Sequence, residues 1–128
     1  ARDMARFGLL IQNDGYWENA PVISDSEYFE AMVNSSQELN PSYGYLWWLN
    51  GKDNYRVPGS QEQFNGYLIP NAPPSTYAGL GKNDQKLYIV PDQKLVVVRM
   101  GEDSGEELAG PSSFDNELWG VLGDLIGY

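Results

Sequence analysis

With 128 residues the chain can bury one modest core, and its 41% hydrophobic and 13% aromatic content predicts that it folds. Eight Lys and Arg against eighteen Asp and Glu give a net charge of −10, which argues against binding to nucleic acid or an anionic membrane surface. Cysteine and histidine are absent, which excludes disulfides, thiolate or imidazole metal sites and a Ser-His-Asp triad within these residues. We therefore predict no metal and no cofactor.

Residues 1–42 are predicted to form a helical part. Apolar side chains recur at helical spacing at Met4, Phe7, Leu10 and Ile11, and Asn13-Asp14-Gly15 supplies a stop signal. Residues 24–27 (SDSE) have the spacing of a capping box, which predicts a second, short helix. Because the chain opens on Ala1 directly in a helical pattern, we expect it to be a piece of a longer protein.

Residues 43–75 are predicted to hold a strand and a long loop. The segment 43–49 (YGYLWWL) is aromatic and ends at Asn50-Gly51, which is typical of a strand before a turn. In an extended strand Trp47 and Trp48 point to opposite faces, and we expect both to pack in the core. Residues 51–75 are rich in Gly and Pro, so we expect mostly loop with one short strand at 64–69.

Residues 76–100 are predicted to form strands at 76–80, 85–90 and 94–100. Their connections are so short that consecutive strands must be antiparallel neighbours. Residues 95–98 (LVVV) are apolar at every position, which predicts a strand covered on both faces, in the middle of a larger sheet.

A C-terminal helix is predicted at 112–127, after an acidic loop at 102–110 whose carboxylates we expect to be solvated rather than to bind Ca²⁺. Ser112 or Ser113 can cap this helix, and its expected buried stripe consists of Leu118, Leu122, Leu125 and Ile126. The order of elements predicts a single partial domain of the α+β class, in which an antiparallel sheet is flanked by helices.

Three segments in order resemble the back half of the superfamily of penicillin-binding proteins and serine β-lactamases, especially its esterase and amide-hydrolase branches. They are 1–10 (ARDMARFGLL), 43–48 (YGYLWW), and 85–91 (QKLYIVP) followed by the LVVV strand. The resemblance implies an antiparallel sheet with helices on both faces and an active site beside a helical region. It also implies acyl-enzyme hydrolysis of a small ester or amide, and it favours a periplasmic or secreted location.

In that family the strand facing the site carries a KTG motif or a relaxed form of it, and Gly79-Leu80-Gly81 is the match. The resemblance implies that these residues and Asn83 border the substrate, and that the backbone N–H of Lys82 donates to the oxyanion. Gly79 stands where stricter members carry Lys or His, and the resemblance therefore favours an esterase, amidase or peptidase-like activity over a β-lactamase. From the residues alone, the tripeptide is typical of a strand end that runs into a tight turn.

The other two motifs of the family are absent: no Ser is followed by Lys three positions later, and no Tyr by Asn two positions later. Because acyl transfer in the family depends on those groups, we expect no catalysis by this chain alone. We also expect self-association if the sheet is left uncovered. The alternative is a non-catalytic ligand- or protein-binding module with a Tyr- and Trp-rich surface.

Overall fold

The chain has an α+β fold in the computed structural model, which describes residues 1–105 and 110–127. The helices are α1 (Arg2–Gln12), α2 (Ser26–Met32) and α3 (Ser113–Ile126). The strands are β1 (Tyr16–Trp17), β2 (Ala20–Pro21), β3 (Trp48–Leu49), β4 (Asn54–Tyr55), β5 (Phe64–Asn65), β6 (Tyr77–Leu80), β7 (Lys86–Val90) and β8 (Leu95–Arg99). Within the described ranges, no helix is long and apolar enough to cross a membrane.

A four-stranded antiparallel sheet in the order β3-β6-β7-β8 organises the molecule. Short 3-10 turns at Lys82–Asp84 and Pro91–Gln93 join β6 to β7 and β7 to β8. These connections are too short for a crossover, which confirms the predicted antiparallel meander.

Each face of the sheet has its own core. On one face α1 and α2 pack Ile11 and Phe29 against Leu87 and Ile89. On the other face α3 packs Trp119 against Tyr88 and its neighbours, with the two rings edge to face at 5.4 Å. Trp47 belongs to the first core and Trp48 to the second, as the opposite-face prediction required.

The last strand, β8, is covered by helices on both faces, as its continuous apolar sequence predicted. Leu95 and Val97 contact the α3 side, and Val96 and Val98 contact the α1 side. In the described part of the chain, however, β8 is the outer strand of the sheet and β7 is central. The middle position predicted for residues 95–98 concerns a larger sheet with strands from outside this chain, so it stays a prediction.

The strand predicted at 43–49 is confirmed only at Trp48 and Leu49, and the rest of that segment is not a strand. The chain folds back on itself before that strand: Leu46 has a left-handed φ of 65°, and the Gly44 N–H donates to the Trp47 carbonyl at 2.8 Å. Gly44 fits this bend because any Cβ there would overlap the Met32 carbonyl oxygen at the end of α2. The strand expected at 64–69 is similarly limited to Phe64–Asn65.

The helix ends are partly as predicted. Ser112 and Asp115 form a capping box at the start of α3, whereas α2 is capped by Asp25 and not by Ser24. The buried stripe of α3 is narrower than expected, since Leu125 is 74% exposed and the fully buried residue is Trp119. Trp119 packs over the sheet together with Leu118 and Leu122, which are partly buried against the same core.

Candidate functional site

An apolar cavity of about 550 Å³ lies between the helical part and one end of the sheet. The helices α1 and α2 form one wall with Met4, Phe7, Tyr28 and Met32. Met4 and Phe7 are three residues apart on α1, and Tyr28 and Met32 are four residues apart on α2. Residues at these spacings lie on the same side of a helix. The cavity therefore has a flexible, thioether- and ring-lined wall.

The opposite wall is the bend before β3, which contributes Tyr45, Leu46 and Trp47. Ring contacts join the two walls: Phe7 stacks on Trp47 with centroids 6.4 Å apart, and Tyr28 lies 6.1 Å from Tyr45. Trp47 is 6% exposed, so its position is fixed by the core beneath it. These pairs set the width of the cavity.

The floor of the cavity is the end of β6, where Gly79, Leu80 and Gly81 lie beside Leu87 of β7. A Cβ atom at Gly79 would meet only the Leu87 Cβ, at 3.9 Å. The space above Gly79 is therefore empty because glycine has no side chain to fill it. The side chain of Leu80 belongs to the α3-side core. The structure therefore brings three of the predicted site residues to one cavity.

Among residues 1–105 and 110–127, no strand pairs with the outer edge of β6 at Leu80. The strand β3 pairs only with Tyr77 and Ala78, and the same register would place Leu46 opposite Leu80. Leu46 turns away instead, through its left-handed backbone. Backbone groups alternate sides along an antiparallel strand, and the Gly81 N–H donates toward β7, to the Gln85 carbonyl at 2.8 Å. The N–H and C=O of Leu80 therefore point to the β3 side of β6, where Leu46 does not pair with them.

The other two predicted site residues, Lys82 and Asn83, lie in the 3-10 turn after β6 and do not line this cavity. Lys82 is exposed, and Asn83 has a left-handed φ of 55°. Two side chains stabilise the turn by hydrogen bonds to the Asn83 carbonyl: Arg99 Nη1 donates to it at 3.1 Å and Gln85 Nε2 donates to it at 2.9 Å. Its backbone is thus held rigidly next to the cavity.

A buried ionic cluster lies under this turn, on the α3 side of the sheet. Lys86 is 1% exposed, and its Nζ lies 3.1 Å from Asp84 Oδ1 and 3.1 Å from Asp115 Oδ2. The ammonium also donates to the Gly110 carbonyl and to Ser112 Oγ. All its donors are occupied, so Lys86 is a structural cation that connects the turn to the start of α3.

The carboxylate of Asp84 is kept ionised inside this cluster. Burial by itself would raise the pKa of Asp84, but hydrogen bonds from Ser104 and Ser112, with that from Lys86, hold the pKa well below its usual range. Burial, and then the nearby Asp115 charge, raise the pKa of Tyr88 far above its ordinary value. Burial likewise raises the pKa of Tyr77, with a smaller effect of Asp14. Neither tyrosine can therefore serve as a phenolate base near neutral pH.

The functional side chains that line the cavity are the phenols of Tyr28 and Tyr45, the Gln85 amide and the buried Lys86. None of its lining residues is a serine, threonine, aspartate or glutamate. Across residues 1–105 and 110–127, no group of three or more acidic side chains is arranged to hold a metal ion. The acidic loop prediction falls partly on residues 106–109, which lie outside the described residues. The arrangement can therefore bind and orient a small ligand.

Sequence reasoning missed the helical wall and the ionic cluster. Met4, Phe7 and Met32 have the spacing of ordinary core positions, which gives no sign that a cavity lies beside them. Lys86 and Tyr88 are two apart on a strand and so share a face, which was the available signal for a buried polar group.

No family model, curated protein or solved structure matches this chain.

Proposed function

We propose that this chain forms one wall of the active site of a serine hydrolase related to the penicillin-binding proteins and β-lactamases. In this proposal β6 is the strand that faces the substrate, and the whole protein hydrolyses a small ester or amide through an acyl-enzyme. The observation that supports it best is the open backbone edge at Leu80 above a glycine-lined cavity floor.

The open edge suits acyl transfer for a physical reason. An extended strand without a neighbour presents N–H donors and C=O acceptors that can bind a substrate amide and its developing oxyanion. Glycines at 79 and 81 let the reacting carbonyl approach the backbone closely. The rigid turn that follows is where the resemblance places the oxyanion donor, Lys82. The nucleophile and its base would come from residues outside these 128, since no Ser-x-x-Lys or Tyr-x-Asn sequence occurs here.

A second candidate is a binding module that uses the same cavity without catalysis. It is favoured by one observation, which is that aromatic and thioether side chains dominate the lining and that no serine or threonine is among the lining residues. Both candidate functions predict that the cavity binds a ligand, but only the hydrolase predicts that the ligand is converted to product.

Ester hydrolysis by the whole protein, meaning the full product of its gene, tests the proposal. Steady-state kinetics with a neutral chromogenic ester should show turnover, and Gly79→Val should lower kcat/KM by about 10- to 100-fold, because the new methyl groups occupy the cavity floor. Gly101→Ala is the matched control, since a Cβ there would meet only Arg99 at ordinary contact distance. Equal effects of the two substitutions, or no turnover in the wild type, would reject the hydrolase proposal.

A further inference from the structure

The cavity presents almost no charge to a ligand. Among its lining residues Lys86 is the one that bears a charge, and its ammonium is buried in the ionic cluster on the opposite face of the sheet. The other polar side chains of the lining are Tyr28, Tyr45 and Gln85, none of which is a cation, and the Gln85 amide is engaged by the backbone of Gly101 and Asn83. A ligand carboxylate in this cavity would therefore lose its hydration without gaining a cationic partner.

The two cations next to the end of β6, Lys82 and Arg99, are not among the lining residues. Lys82 is exposed beyond the end of β6, and Arg99 is directed to the carbonyl groups of Asn83 and Asp84 and to the ring of Phe114, 5.2 Å away. The net charge of −10 adds a general repulsion of anions. Both the local and the overall electrostatics disfavour anionic groups.

The walls, in contrast, are suited to an apolar group. Met4, Met32 and Met100 have flexible, polarisable side chains that adapt to irregular shapes. Phe7, with its ring stacked on Trp47, is 45% exposed and would lose that exposure when a ligand fills the cavity. A volume of about 550 Å³ is within the usual range of small-molecule sites, and the polar edge at Leu80 is adjacent to it.

We propose that this cavity binds an uncharged apolar acyl or aryl group next to a neutral ester or amide, and that it selects against substrates with a carboxylate at that position. The assignment of this group as the acyl part of a substrate rests on the proposed function. The binding preference itself holds with or without turnover, and it names small neutral amphiphiles as the ligand class.

Titration of the chain with two matched ligand series tests the preference by binding alone. One series is the N-methyl amides of linear fatty acids from four to eight carbons, and the other is the corresponding carboxylates. Tryptophan fluorescence is the readout, because Trp47 lines the cavity. The amide affinity should rise about three- to fourfold with each added methylene until the cavity is full, and each carboxylate should bind at least about tenfold more weakly than its amide.

Two variants locate the binding. Gly79→Val should weaken the longest amide by about tenfold or more, and Phe7→Ala, at a partly exposed side chain, should reduce the gain per methylene without unfolding the chain. Gly101→Ala should change neither quantity.

Several results would overturn the proposal: equal affinity for amides and carboxylates, no dependence on chain length, or binding that both cavity variants leave intact. An apparent affinity that falls when the protein concentration is raised tenfold would show that a second copy of the chain occupies the cavity, which also overturns it. If the ligand series behaves as expected but the whole protein does not hydrolyse esters, the hydrolase proposal alone fails.

Discussion

Replacing Lys86 by Met tests the ionic cluster, because Met keeps much of the side-chain length and removes the charge. The ammonium has four polar partners: the carboxylates of Asp84 and Asp115, the Gly110 carbonyl and Ser112 Oγ. Without it, two buried carboxylates face each other with no compensating charge. Breaking a buried pair in this way costs about 3–5 kcal/mol, which is a large fraction of the stability of about 5–15 kcal/mol that a domain has.

The expected loss is large enough to measure by two methods. With an unfolding entropy of about 2.1 cal/mol/K per residue, a loss of 3–5 kcal/mol corresponds to a fall in Tm of about 10–20 °C for a chain of this length. Urea denaturation followed by circular dichroism should show a lower midpoint with an unchanged slope. The control is Arg6→Met, whose ion pair with Asp3 is largely exposed, so that about 0–1 kcal/mol is expected. If Lys86→Met loses no more stability than the control, the account of the cluster is wrong.

Three further predictions concern stability. The pKa of Asp84 is lower in the folded state than its unfolded value of about 4. Its carboxylate therefore adds stability that is present above about pH 5 and is lost as the pH falls. In urea denaturation between about pH 5 and 2, Asp84→Asn should flatten this dependence of stability on pH. Trp119→Ala should lose about 3–5 kcal/mol in the same assay because the ring is fully buried, whereas Ile126→Ala, at a 49% exposed side chain, should lose about 0.5 kcal/mol or less. Gly44→Ala should lower Tm by several degrees because its Cβ overlaps two backbone carbonyl oxygens, and Gly101→Ala should leave Tm nearly unchanged.

The regular parts of the fold were predictable because their signals are local. The periodicity of residues 2–12, the short connections between the last three strands and the Ser112 cap each depend on a few neighbouring residues. The bend at 43–47 was not predictable, because it depends on a close approach of Gly44 to a carbonyl group of α2. Aromatic residues favour strands in general, and here a tertiary contact overrides that preference.

The candidate site was predictable only in its floor. The tripeptide at 79–81 is a small-residue pattern that can be found in the sequence, and the structure places it at a cavity. The two walls come from segments more than 30 residues before it, and their side chains have the ordinary spacing of core residues. Residues that are distant in sequence and meet at one cavity leave no local sequence pattern, so the cavity can be found only from the structure.

Intact-mass measurement after treatment with a fluorophosphonate tests the central claim most directly, using the whole protein and this chain in parallel. The account predicts one phosphonyl adduct on the whole protein, on a serine outside these 128 residues, and no adduct on this chain alone. An adduct on this chain alone would contradict the account, and so would the absence of any adduct on the whole protein, which would favour the binding module instead.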